Sequence, residues 1–232
     1  MDTSAGLAAA VAGRADRIEL CTALPVGGLT PSAGFMAEAA TCGVPVMAMI
    51  RPRAGGFVFS AAELAQMEVD IAAARAARLT GVVLGASLPD GRLDMTALAR
   101  LVAAAHGMDR GMDCTLHRAF DLVPDPGEAL EQAIEAGFSR ILTSGGARTA
   151  EAGADRIAAL VAQARGRILI MPGSGVSPAN AARFVAMGIT ELHGSCALPH
   201  AVAGPAVDLG FGPATERRTD AATIRALRDC LQ

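Results

Sequence analysis

Ile168-Leu169-Ile170-Met171-Pro172-Gly173-Ser174-Gly175-Val176-Ser177-Pro178-Ala179-Asn180-Ala181-Ala182-Arg183-Phe184-Val185-Ala186-Met187 passes from a strand into a helix through one glycine loop. The apolar run Ile168 to Met171 has strand length and ends in Pro172-Gly173-Ser174-Gly175, while Pro178 to Met187 is Ala-rich with helical spacing. That order is the grammar of a βα unit. Ser177 precedes a proline at the first helical position, as an N-cap residue does, and Gly188 falls where a helix end calls for a left-handed residue.

The same grammar repeats on both sides of this stretch. Strands are expected at Arg17 to Cys21, Val44 to Ile50, Gly81 to Leu84, Asp113 to His117, Arg140 to Thr143 and Thr190 to His193, which makes seven with Ile168 to Met171. Helices are expected at Leu7 to Ala15, Ala33 to Thr41, Ala61 to Arg78, Met95 to Met108, Pro126 to Ala136 and Ala150 to Ala164. Ser60-Ala61-Ala62-Glu63 reads as a capping box, and Gly43 and Gly137 close helices as Gly188 does. The pattern predicts the α/β class: one TIM (β/α)8-like barrel domain over residues 1–232, with an open doubly wound sheet as the alternative that shares most of these signals. A barrel of this kind opens with a strand, yet only Met1 to Gly6 precede the first helix, too short and too polar to supply one. The barrel is therefore expected to lack its first strand, through a late start site or an unusual closure. The strand edges at such a gap invite pairing with another chain, so reduced stability or a homodimer that covers the gap is expected.

The chain has 232 residues, 52% hydrophobic and 3% aromatic, with 20 basic against 23 acidic side chains and a net charge of -3. Every basic residue is Arg, which excludes a Schiff-base aldolase, a pyridoxal-phosphate enzyme and a P-loop nucleotidase, each of which needs a lysine amine. A slightly acidic surface without Tyr or Trp offers neither a cationic stripe nor stacking platforms, so no nucleic-acid partner is expected. The five cysteines, Cys21, Cys42, Cys114, Cys196 and Cys230, are widely spaced and never form C-x-x-C. They point to reduced thiols and a cytoplasmic location. A start without a charged leader, and no window of 18 apolar residues, predict a soluble protein with no membrane partner.

In parallel barrels the working residues stand at the carboxyl ends of strands. Period two along Arg17-Ile18-Glu19-Leu20-Cys21 puts Glu19 and Cys21 on one face, and Glu19 is expected to point into the barrel. A Glu there needs a partner, and Arg51 on the adjoining strand is the expected one. The pair is either a structural ion pair or part of a ligand site. Catalytic roles fall on Glu19 as acid or base, Arg51 as an anion clamp and His117 as proton carrier, although a solitary His is also a common satisfied core residue. Arg53 joins Arg51 on its loop. Gly173, Ser174 and Gly175, with Gly194 and Ser195 one unit later, form either an anion-binding surface at a helix start or plain tight turns, and Thr143-Ser144-Gly145-Gly146 extends the same surface. The sequence does not carry a dinucleotide fingerprint, because Pro178 follows where the third glycine is required. His193 is weighed as His117 is, and His106 and His200 are read as surface. Cysteine, methionine and His117 or His193 offer metal donors, but no spacing gathers three of them, and buried Cys and Met are also adaptable core.

Ala15-Asp16-Arg17-Ile18-Glu19-Leu20-Cys21, Gly27-Gly28-Leu29-Thr30-Pro31-Ser32, Ile50-Arg51-Pro52-Arg53, His117-Arg118-Ala119-Phe120-Asp121, Ile141-Leu142-Thr143-Ser144-Gly145-Gly146 and Pro172-Gly173-Ser174-Gly175-Val176 occur in this order over nearly the whole chain. Together they resemble the CutC family, the copper homeostasis proteins. The resemblance implies a cytoplasmic TIM-like barrel, often a homodimer, with Cu(I) as its metal ligand. Of the family's copper thiols, Cys21 matches a motif cysteine, and Cys196 lies beside the final strand motif. Family members carry a Leu-Glu-hydrophobic-Cys strand ahead of the segment matching Asp2-Thr3-Ser4, and this chain does not. The resemblance implies no particular reaction, so the alternative to copper handling is a TIM-barrel enzyme acting on an anionic or phosphorylated small molecule.

Overall fold

A computed structural model describes residues 1–107 and 111–231. Its strands are β1 (Ile18–Leu20), β2 (Val46–Met49), β3 (Gly81–Leu84), β4 (Asp113–Leu116), β5 (Arg140–Thr143), β6 (Leu169–Pro172), β7 (Ala197–Ala201) and β8 (Thr215–Thr219). Its helices are α1 (Ser4–Ala12), α2 (Ala33–Ala39), α3 (Ala61–Ala76), α4 (Met95–His106), α5 (Pro126–Glu135), α6 (Ala154–Ala164), α7 (Ala181–Val185), α8 (Pro205–Asp208) and α9 (Ala221–Asp229). The first six strands form one parallel sheet in chain order, curled as part of a TIM-like barrel with helices alternating between the strands.

Each strand has two working faces, and period two assigns them. Ile18, Leu20, Val46, Ala48, Ile50, Val82, Leu84, Cys114, Leu116, Ile141 and Ile170 are buried in the main core with the helices. Each such Leu or Ile contributes roughly 2 kcal/mol by leaving water, which is what fastens the helices to the sheet. The intervening residues Glu19, Cys21, Met47, Val83, Thr115 and Met171 line the inside of the curl instead.

Register sets heights along the curl. Glu19 pairs with Met47, Met47 with Gly81, and Thr115 with Arg140. Arg51 lies four residues beyond Met47, roughly 13 Å further along the strand. The expected Glu19–Arg51 ion pair is therefore not made: Glu19 stands 3.8 Å from His193, and Arg51 donates to carbonyls.

Thr190 to His193 is not a seventh strand. His193 N–H donates to Pro172 O at 3.0 Å, but no ladder continues from it. Side chains span this gap in place of backbone: Arg17, just before β1, donates to both oxygens of Glu191 at 3.1 and 2.7 Å. Within the same gap Met1 runs beside the free edge of β1, its amine donating to Glu19 O at 2.6 Å and its carbonyl accepting from Cys21 N–H at 2.8 Å. The antiparallel hairpin of β7 and β8 and the closing helix α9 carry no expectation from sequence. The hairpin strands are mostly exposed and lack an apolar run. α9 buries Ile224 and Leu227, and α1 ends so close to it that a Cβ at Gly13 would lie 2.7 Å from Ile224.

Helix ends follow their capping chemistry. The capping box of Ser60 and Glu63 is formed, and Gly43, Gly137 and Gly188 adopt φ of 76°, 86° and 81° after their helices. α1 starts earlier than expected because Thr3 Oγ1 accepts from Gly6 N–H at 3.0 Å. The helix at Pro178 to Met187 contracts to α7, because Asn180 Oδ1 takes the Ser177 N–H at 2.9 Å and Ser177 is not its cap. Residues 150–153 are turns rather than the start of α6, and Met108, the expected end of α4, lies outside the described residues. Among the described residues no helix is long and apolar enough to cross a membrane.

Candidate functional site

The inside of the curl divides into three levels. Lowest is an ion network. Arg140 on β5 is buried, and its Nε donates to Glu191 Oε2 at 2.9 Å, while its Nη1 reaches Thr115 Oγ1 at 3.3 Å and Asp113 Oδ2 at 3.6 Å. Arg17 holds the same Glu191 from the other side. Burial alone would raise the Glu191 carboxyl, but the hydrogen bonds from Arg17 and Arg140 hold it below its ordinary value. Every charge at this level has a partner of opposite sign.

The middle level is soft. Cys21, Met47, Met49 and Val83 form a buried cluster separate from the main core, placed by the inward positions of β2 and β3 and the residue after β1. Burial pushes the Cys21 thiol up to about 11, against the pull of the Met1 amine. Cys21 and Met47 border a cavity of about 350 Å³ that fills the gap beside β1. Glu19, Met171, His193, Gly194, Ser195 and Cys196 line it too. Burial also raises the Cys196 thiol, helped by Asp220. Cys114, on β4, faces the helices instead, where burial lifts its thiol to about 12. Among the described residues no three His, Cys, Asp or Glu side chains are grouped as metal ligands.

The top level lies at the carboxyl ends of β2, β3 and β4. Arg51 is 6% exposed and donates to Val26 O at 2.9 Å, Gly28 O at 3.1 Å and Gly55 O at 2.7 Å. No carboxylate neutralises it among the described ion pairs, and its Nε has no partner. His117 is 3% exposed; its Nδ1 accepts from Ala119 N–H at 3.1 Å, so the neutral ring carries its proton on Nε2, which is also unpartnered. Burial first, and then the Arg51 charge, push this imidazole down to about 3. Gly85 makes room for the ring: a Cβ there would come within 2.6 Å of it. Phe57 covers both side chains, with its centroid 4.6 Å from the His117 ring and 5.0 Å from the Arg51 guanidinium carbon. Ser87 N–H donates to Phe57 O at 2.9 Å, and the buried Ser87 Oγ is a third polar atom without a partner.

The structure thus brings Arg51 and His117 together, and separately Glu19, Cys21, Gly194, Ser195 and Cys196. Arg53 joins neither group. It is exposed, ion-paired to Glu63, and its guanidinium holds the Ala54, Gly56 and Val58 carbonyls of its own loop. Gly173 is packed against Leu142, 2.4 Å from where a Cβ would stand. Ser174 Oγ donates to Arg148 O at 2.8 Å, and Gly175 accepts from Asn180, so this loop is tied into a turn. Thr143, Ser144 and Gly146 all donate to Asp121, which also pairs with Arg118 at 2.7 Å. Ser87, Phe57 and the inward Met47 and Met49 were not singled out from sequence. Inward alternation along Val46-Met47-Ala48-Met49 was a usable signal for the methionines, whereas Ser87 and Phe57 lie in loops with no periodicity.

A family model described as the CutC family matches residues 1–198. A CutC family protein of Sinorhizobium medicae is 55% identical over 237 residues, covering 100% of this chain and 94% of the relative. The crystal structure of CutC from Streptococcus agalactiae, described as a copper homeostasis protein, superposes with a TM-score of 0.73 at 36% identity, covering 78% of this chain and 88% of that one. The aldolase QR15 superposes with a TM-score of 0.60 at 11% identity, covering 97% of this chain and 86% of its own, and shares the fold alone.

Proposed function

The chain belongs to the CutC family, and from that premise we propose that it handles Cu(I) as cargo in the cytoplasm, taking the ion at the Cys21 thiol. The observation that carries this reading is the buried grouping of Cys21 with Met47 and Met49, the first two of them on the wall of the gap cavity. One thiol among thioethers is a donor set that selects a soft, low-coordinate ion, and Cu(I) is the ion it fits. Cys196, on the same cavity, is a second thiol for arrival or release. All five cysteines are free, as a reducing compartment requires.

A thiol raised to about 11 is protonated at neutral pH, so Cu(I) binding at Cys21 releases one proton. Apparent affinity is then expected to rise about tenfold per pH unit across the neutral range. Anaerobic competition against a colourimetric Cu(I) chelator tests both points. Support would be one equivalent bound, weakened at least a hundredfold in Cys21→Ala and less in Met47→Leu, which keeps the core volume. Equal binding by wild type and Cys21→Ala removes the proposal.

A further inference from the structure

Among the described residues the mouth of the barrel holds a buried cation, Arg51, with no carboxylate ion-paired to it, and three buried polar atoms without partners, on side chains that meet Phe57 through its ring or its backbone carbonyl. Arg51 is 6% exposed, Ser87 4% and His117 3%. Their orphaned atoms are Arg51 Nε, Ser87 Oγ and His117 Nε2. Buried polar groups are nearly always hydrogen-bonded, and three exceptions in one place call for a missing acceptor. A buried charge is more demanding still, because desolvation costs several kcal/mol unless an opposite charge answers it. Arg51 is answered only by carbonyl dipoles and the face of Phe57.

The unfilled valences describe the ligand. Arg51 Nε–H and His117 Nε2–H can only donate, and Ser87 Oγ can do so. The acceptor must therefore bring oxygen atoms rather than hydrogens. Arg51 is the one charged side chain among the three donors, since burial holds the His117 ring neutral at physiological pH. A singly charged carboxylate matches both the donor count and the charge, whereas a phosphate dianion would leave an uncompensated negative charge in a dry site.

We propose that this mouth is a carboxylate-binding site, distinct from the Cys21 cluster, in which Arg51, Ser87 and His117 donate to a small-molecule carboxylate beneath Phe57. The ring is carried on an exposed loop at the barrel mouth, whose carbonyls accept from Arg51, Arg53 and Ser87. Gly55 and Gly56 precede Phe57; residues 53–56 are exposed, and a Cβ at Gly56 would touch nothing within 4 Å. The entering carboxylate replaces the ring over the donors, and Arg51 exchanges part of its hold on the Gly55 carbonyl for an ion pair.

The test uses the full chain with its histidines 15N-labelled, titrated at pH 7 with sodium acetate, and in parallel with inorganic phosphate and sodium chloride, following the ring resonances. The expected result is a saturable shift of the His117 Nε2 signal with acetate only. Ser87→Ala should weaken it about tenfold, the loss of one hydrogen bond to a charged group. Phe57→Ala should strengthen it by uncovering the donors. Arg51→Met is expected to abolish it, and Ser87→Ala keeps the idea testable if Arg51→Met does not fold. Cys21→Ala should leave acetate binding unchanged, which separates this site from the copper reading. A shift with phosphate but not acetate, or no saturable shift in either wild type or Phe57→Ala, overturns the proposal.

Discussion

The two ends of the barrel interior are built from the same residue types and balance them differently. At the lower end two arginines converge on Glu191, Thr115 Oγ1 accepts from Arg140 Nη1, and Asp113 lies 3.6 Å from the same nitrogen. At the mouth one arginine is as deeply buried as Arg140, yet its partners are neutral carbonyls and its Nε has none. A closed network that answers every charge is architecture, and here it bridges the gap beside β1 where no backbone ladder forms. An open set of donors around an unanswered charge is a place prepared for something that arrives from outside.

The sharpest way to break this contrast is to open the lower network. Glu191→Ala takes from Arg17 its carboxylate and leaves the buried Arg140 only the more exposed Asp113, 3.6 Å away, and is expected to cost about 3 kcal/mol of stability, read from urea denaturation. A loss below that of Arg51→Met would show that the network is not the architectural element.

Next comes the pH dependence of the mouth. His117 in the folded chain titrates below its ordinary value of 6.5, near 3, so the unfolded chain takes up the proton first and stability falls as the pH drops through that window. Between pH 7 and pH 5 this one group should cost about 2 kcal/mol, a slope that His117→Asn removes. Identical pH profiles for the two proteins would mean that the imidazole is not held neutral by burial.

Arg51→Met exchanges three hydrogen bonds to carbonyls for relief of a buried unpaired cation, so the net loss should be about 1 kcal/mol, well below that of Glu191→Ala. Smallest is Arg53→Ala. Its guanidinium and Glu63 are exposed, and acetate affinity should stay within about twofold of wild type. A larger drop would extend the carboxylate site outward onto the loop.

Much of this was legible beforehand. Apolar runs bounded by Gly and Pro located all six strands of the parallel sheet to within a few residues, because burial on both faces leaves so direct a mark. Period two placed Glu19 and Cys21 inward. What could not be read was which inward residues meet. Glu19 and Arg51 looked like partners on adjoining strands, but the pairing of Glu19 with Met47 separates their heights. Thr190 to His193 had the composition of a strand, yet Glu191 is taken by two arginines and no ladder forms there. The β7–β8 hairpin left no trace because its exposed side chains obey no burial pattern. Phe57 and Ser87 were invisible for a related reason: their roles come from loops folded over a strand end.

The linear order of residues determined the alternation of strands and helices, the inward and outward faces, and the family, since each depends on neighbours a few bonds apart. Only the folded chain decided that Arg17 and Arg140 share one carboxylate while none among the described residues is ion-paired to Arg51. Register and sheet curvature set the distances between charges far apart in sequence, and those arise from packing the whole barrel at once.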